Sequence, residues 1–260
     1  MLESPAVRAL LLSILAGLST LLGALVVFIT RKKSEKLITI SLGFAAGVML
    51  SVSFTDLFPN ARDSLTAWGG SKVGALMAVV ALAGGIALAG GIDRLVPHDE
   101  YDPTSGEAPH KNLFRVGFVS TLAIGLHNFP EGIATFMAGY EDITLGLTIA
   151  LAIALHNIPE GISVAMPIWY ATGSRRKAFQ YTLISGLAEP VGALLAFLVL
   201  RPFINDLVLG LLFGAVAGIM VYISVEELIP SSRQYGYDRA GLLAIFTGVC
   251  LMPQIGRAHV

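Results

Sequence analysis

Two stretches of this 260-residue chain carry the same chemically active side chains in the same order: His127-Asn128-Phe129-Pro130-Glu131-Gly132 and His156-Asn157-Ile158-Pro159-Glu160-Gly161. His to Glu is i,i+4 and Asn to Glu is i,i+3, so on a helix the three side chains share one face. The proline between them has no N–H and cannot bond the carbonyl four residues back, which belongs to Leu126 or Leu155. Each stretch therefore offers an imidazole nitrogen, an amide oxygen, a carboxylate and a freed carbonyl. That donor set suits Zn²⁺, Fe²⁺, Mn²⁺, Co²⁺ or Cd²⁺, and no thiolate is present to favour copper(I). Carboxylates from Glu131 and Glu160 can bridge, so one or two ions fit this reading.

The elements that must hold these side chains are apolar. The chain is 55% hydrophobic and 13% charged, against about 25% charged in a soluble domain. This composition is that of an all-α polytopic membrane protein forming one transmembrane domain over residues 1–260. A helix needs about 20 apolar residues to cross a bilayer. Eight such runs are expected, at about 7–29, 37–59, 73–92, 114–138, 143–169, 178–200, 207–229 and 240–252. The first is too long for a signal-peptide core and is kept as a membrane helix. The last is short: Pro253 and the tail after it are expected to interrupt it, and that tail reads as truncated or non-native. The twin stretches fall inside the fourth and fifth runs, where ionisable groups are costly and mark function by default.

Asp56, Glu131, Glu160, Glu189, Glu226 and Glu227 all fall within spans or at their last turn. No lysine or arginine is expected deep in a span. Acids without internal bases point to a cation from outside the chain. Glu189 precedes Pro190 and is expected to reach the same cavity as the twin stretches, as a third carboxylate. Asp56, near the outer end of the second span, and Glu226 and Glu227, near the inner end of the seventh, are expected to line two approaches to it.

An internal repeat supports that symmetry. Residues 43–62 align without gaps on 214–233 with eight of 20 positions identical, and Asp56 falls on Glu227. Residues 17–25 align likewise on 186–194, with Thr20 opposite Glu189. Each copy pairs an odd span with an even one, so the copies run in opposite directions. The expected architecture is a 3+2+3 inverted repeat, with the twin stretches as the central pair.

Twelve of the 17 lysines and arginines lie in the loops after spans 1, 3, 5 and 7. Positive-inside bias assigns those loops to the cytoplasm and both termini to the outside. The loop at 97–112 is polar, acidic and aperiodic, and is read as a flexible cytoplasmic linker rather than a metal site. A formal net charge of −1 argues against nucleic acid as a partner. The single cysteine, Cys250, excludes an intrachain disulfide.

The doubled His-Asn-x-Pro-Glu-Gly, the Ala188-Glu189-Pro190 of the sixth span and the polar loop after the third together resemble the ZIP (Zrt/Irt-like) family, in particular its bacterial branch. The resemblance covers nearly the whole chain. It implies eight helices, external termini, location in the bacterial cytoplasmic membrane and uptake of divalent metal, zinc first, into the cell. By motif, His127, Glu131, His156 and Glu160 match one metal position. Asn128, Glu131, Asn157, Glu160 and Glu189 match a second beside it. The family also contributes from the second helix, for which Met49 and Ser53 are the candidates. The implied partners are divalent ions, the lipid bilayer and a second copy of the chain. No cofactor is expected beyond the transported metal, and no catalysis.

Two rival readings use the same residues. An intramembrane metalloenzyme would need a free base, but no His-Glu-x-x-His occurs and the glutamates read as ligands. A bis-histidine haem carrier would need paired imidazoles without adjacent carboxylates.

Overall fold

The computed structural model describes residues 4–95, 113–203 and 205–257, and among these the apolar runs fold as helices. They are α1 (Pro5–Ile29), α2 (Glu35–Gly69), α3 (Ser71–Leu95), α4 (Leu113–Glu141), α5 (Ile143–Thr172), α6 (Arg175–Leu195), α7 (Asp206–Ser232) and α8 (Asp238–Arg257). Six of them, α1, α2, α3, α5, α6 and α7, are long and apolar enough to cross a membrane. The linker expected at 97–112 lies outside the described residues.

Several ends differ from the expectation. α2 does not stop at 59 but runs on to Gly69, and α7 runs on to Ser232. Each contains a wider π turn, at Ser53–Leu57 and Ser224–Leu228. In both, the backbone N–H closing the turn reaches five residues back, from Phe58 to Ser53 and from Ile229 to Ser224. Pro59 and Pro230 follow immediately. A proline ring collides with the carbonyl four residues earlier in a regular helix; the extra residue in the turn moves that carbonyl aside, so the helix survives its proline. α8 likewise continues through Pro253 to Arg257, where an ending was expected. Pro130 and Pro159 also sit inside unbroken helices.

The described surface carries large apolar side chains, and the interior holds many polar ones beside its apolar core. Leu15, Ile29, Leu76, Leu95 and Leu243 are each at least 65% exposed. Ser13, Thr20, Thr39, His127, Asn157, Glu160 and Glu189 are buried. That inversion suits a chain whose solvent is lipid. With lipid outside there is little hydrophobic drive between helices, and close packing through small residues takes over. α1, α4, α5 and α6 pack on one another, and α2, α3, α7 and α8 form the other packed set. α2 against α5 and α4 against α7 join the two.

Within each set, glycines bring helix backbones into contact. A Cβ at Gly132 would overlap the Glu189 carbonyl oxygen, and one at Gly192 that of Phe129, locking α4 to α6. Gly161 meets the Thr20 carbonyl and Gly23 that of Ile158, locking α5 to α1. Gly47 and Gly248 join α2 to α8 through the carbonyls of Ile245 and Phe44. Gly218 and Gly85 join α7 to α3 through those of Leu82 and Ala215. The turns are tight. Gly70 (φ 82°) and Gly173 (φ 70°) reverse the chain between α2 and α3 and between α5 and α6, in a left-handed conformation that favours glycine.

Candidate metal centre

α4 and α5 pack side by side and present their twin faces to each other. The imidazole centroids of His127 and His156 are 6.1 Å apart. His156 Nε2 is 2.9 Å from Glu131 Oε1, across the two helices. His127 Nε2 is 3.2 Å from Glu131 Oε1 and 3.0 Å from Glu160 Oε1. These four residues are at most 3% exposed. Ligand atoms of His127, Glu131 and His156 all lie within 4.8 Å of one another. Two atoms bound tetrahedrally to one zinc at about 2.0–2.1 Å are about 3.3 Å apart. The observed spacings need to open by only a few tenths of an ångström to admit an ion.

The hydrogen bonding is the stronger indication. His127 approaches both carboxylates without the alignment of a hydrogen bond, and both of its ring nitrogens are unmet. Both oxygens of Glu160, Oε2 of Glu131 and Oε1 of Glu189 also lack a donor. So do the amide oxygens of Asn128 and Asn157. Buried polar atoms are ordinarily satisfied, and a cluster of unmet acceptors implies an absent ion or water. The donors that are present spend themselves elsewhere. Asn157 Nδ2 donates to the Ala16 carbonyl and to Glu189 Oε2, both at 3.0 Å. Asn128 Nδ2 donates to the Ser185 carbonyl at 3.3 Å. Each amide is thus pinned by its nitrogen, and its oxygen is left as an unmet acceptor. The two imidazoles sit against carboxylates throughout, which removes the condition on which a haem carrier depends.

Glu189 meets this cluster through Asn157, and the second-helix candidates Met49 and Ser53 are both buried. The Ser53 hydroxyl donates to the Met49 carbonyl at 2.8 Å, and Met49 packs in the apolar core. Asp56 is exposed, in a cavity of about 480 Å³ that also reaches Glu131. Asn60 and Asp206 line the same cavity. Asn60 Nδ2 donates to Asp56 Oδ1 at 2.8 Å. Sequence reasoning passed over both, although Asn60 stands one helical turn from Asp56 on the same face.

The acids of α7 differ. Glu226 is exposed. Glu227, 4% exposed, accepts from Arg115 Nη1 at 2.7 Å. Arg115 also donates to Asp93, and the Tyr222 hydroxyl donates to Asp93 at 3.2 Å. This corrects the expectation that the intramembrane acids have no basic partner. Arg115 opens α4 rather than standing free in a loop, and its long side chain reaches two buried carboxylates from there. Asp93, Arg115 and Tyr222 were not singled out in the sequence because they come from three separate helices.

Residues 98–256 match the model of the ZIP zinc transporter family. The chain is similar to the zinc transporter ZupT of Streptococcus mutans, 45% identical over 249 residues that cover 94% of each chain. It is 45% identical over 254 residues to ZupT of Oceanobacillus iheyensis, covering 94% of this chain and 95% of the relative. ZupT of Chlorobium chlorochromatii is 46% identical over 253 residues, 94% of each chain. All three are named as transporters, not as enzymes. A family model that takes in the twin stretches and more than half of the sequence, with relatives aligned almost end to end, establishes that the chain belongs to the ZIP family of zinc transporters.

Proposed function

We propose that this protein carries divalent metal ions, zinc foremost, across the bacterial cytoplasmic membrane into the cell. The observation that carries the proposal is the cluster of buried imidazoles and carboxylates whose acceptor atoms have no donor, beside a cavity that reaches Asp56. An ion arriving there exchanges water for His127, His156, Glu131 and Glu160. Asn128, Asn157 and Glu189 offer oxygens for a second ion next to the first. Asp56, with Asn60 and Asp206, is the outer approach; Glu226 and Glu227 belong to the inner one. Binding has to be strong enough to strip the ion of water and weak enough to release it.

The reading includes eight crossings, external termini and a 3+2+3 inverted repeat. Glycine contacts support the repeat at the level of single residues. Gly132 on Glu189 corresponds to Gly161 on Thr20, and Gly192 on Phe129 to Gly23 on Ile158. Gly47 on Ile245 corresponds to Gly218 on Leu82, and Gly248 on Phe44 to Gly85 on Ala215. The two π turns fall at equivalent positions, and the Ser53 and Ser224 hydroxyls each donate to a methionine carbonyl, that of Met49 or Met220. Inverted repeats are the architecture of transporters with a midplane site, and a second copy of the chain is the partner we expect. The test is zinc uptake into liposomes by the wild type and by Glu160→Ala. Equal uptake by both would sink the mechanism.

A further inference from the structure

We infer that the loops α1–α2 and α5–α6 together form a binding site for an anionic phospholipid headgroup. The sequence shows each loop as an ordinary basic turn, Arg31-Lys32-Lys33 with Lys36, and Arg175-Arg176-Lys177. The fold joins them. Lys33 Nζ donates to the Tyr170 carbonyl at 2.8 Å, and Arg175 Nη2 to the Thr30 carbonyl at 2.8 Å. The Tyr170 hydroxyl accepts from the Ser34 N–H at 2.6 Å and donates to the Ser34 carbonyl at 2.7 Å. Lys33 and Arg175 also lie 5.8 Å from the ring centres of Tyr170 and Trp169. Lys33 and Arg175 are therefore the stitches of the patch, and their positions are fixed.

The remaining five cations, Arg31, Lys32, Lys36, Arg176 and Lys177, are exposed. Among the described residues none of them has a carboxylate within ion-pair distance, and Glu35 is the one acid in the two loops. Like charges held this close repel one another, and a phosphodiester relieves that repulsion. The patch also borders an apolar wall. Phe28 (45% exposed) and Ile29 (78%) end α1 just before the basic run, and Ile184 (62%) lies on α6, which packs against α1. Phe28 meets Phe179 of α6 edge to face, with ring centres 6.3 Å apart. Charge above and exposed aliphatic and aromatic surface below match a lipid with a phosphate and acyl chains. Clusters of four to eight basic residues beside a membrane helix bind such lipids.

The site requires only that the chain lie in a bilayer, so it can fail while the transport reading stands, and the reverse. Native mass spectrometry of delipidated full-length protein, titrated with phosphatidylglycerol or phosphatidylcholine, reads it directly and without flux. Wild type should retain phosphatidylglycerol in preference to phosphatidylcholine. The triple variant Lys32→Gln/Arg176→Gln/Lys177→Gln, which spares the stitches, should bind phosphatidylglycerol about tenfold more weakly or worse. A control that removes the same charge elsewhere, Arg94→Gln/Arg233→Gln/Arg239→Gln, should bind like wild type. Equal retention of the two lipids would overturn the proposal, as would equal weakening in the control. Displacement by millimolar inorganic phosphate would overturn it as well, by showing a site for the anion alone.

Discussion

Glu160→Gln separates binding from folding. Glu160 is fully buried, and neither of its oxygens meets a hydrogen-bond donor. Its surroundings hold more acceptors than donors, including unmet oxygens on Glu131, Glu189 and Asn157. Replacing a carboxylate oxygen with an NH₂ keeps the shape and supplies two donors where donors are scarce. A buried unsatisfied polar atom costs about 1–3 kcal/mol. The metal-free variant should therefore be more stable than metal-free wild type by about that amount. At roughly 2–4 °C per kcal/mol for a chain of this size, the melting temperature rises by about 2–10 °C. Zinc should do the opposite to the ranking. Wild type gains about 2.7 kcal/mol at a ligand concentration of 100 times Kd, while the variant, lacking a ligand, gains little. The assay is a thermal melt in detergent with chelator and then with zinc. The reasoning is refuted if the chelated variant melts at or below wild type while zinc still raises both equally.

Other perturbations test separate parts of the structure. Asp56→Asn should raise the zinc concentration for half-maximal uptake while leaving the melting temperature within about 1 °C, since an exposed side chain contributes little to stability; an unchanged apparent affinity removes Asp56 from the approach. Arg115→Met removes the guanidinium from which the buried carboxylates of Asp93 and Glu227 both accept and should cost about 3 kcal/mol or more. Adding Glu227→Gln should recover part of that loss in a thermal melt. Gly84→Ala and Gly85→Ala should differ in sign. A Cβ at Gly84 meets nothing, whereas one at Gly85 runs into the Ala215 backbone. The first should stabilise by up to about 1 kcal/mol through helix propensity, and the second should destabilise. Metal-induced stabilisation should shrink as pH falls, because imidazole and carboxylate must lose protons to bind; a metal-dependent melting shift that is the same at pH 5.5 and 7.5 would exclude His127 and His156 as ligands.

The apolar helices and the faces that carry the twin His-Asn-x-Pro-Glu-Gly side chains were legible because both follow from local rules. Hydrophobic run length marked the six long apolar helices, and i,i+4 spacing put His127 beside Glu131. Helix ends were less legible. Residues 60–69 are polar and follow Pro59, so they read as a loop; the π turn that lets α2 continue leaves no compositional trace. Arg115 illustrates a different limit. Its partners are 22 and 112 residues away, and no periodicity connects them. The anchoring of Asn157 on the Ala16 carbonyl is equally non-local. Glycines could be read as packing residues, but which carbonyl each one meets emerges only when helices are set side by side.

Arg115 is a cation that cannot diffuse away. Its tether keeps it beside Glu227 at an effective concentration of roughly millimolar, far above that of a free ion present at micromolar levels or less. On the proposed path, a metal ion approaching Glu227 would displace an occupant that returns whenever it is released. At Asp56 the side-chain partner among the described residues is the neutral amide of Asn60, and an ion arriving there by the proposed outer approach would have its own water to shed. On the proposed path, two stretches of nearly equivalent backbone would thus set unequal terms for the same cargo.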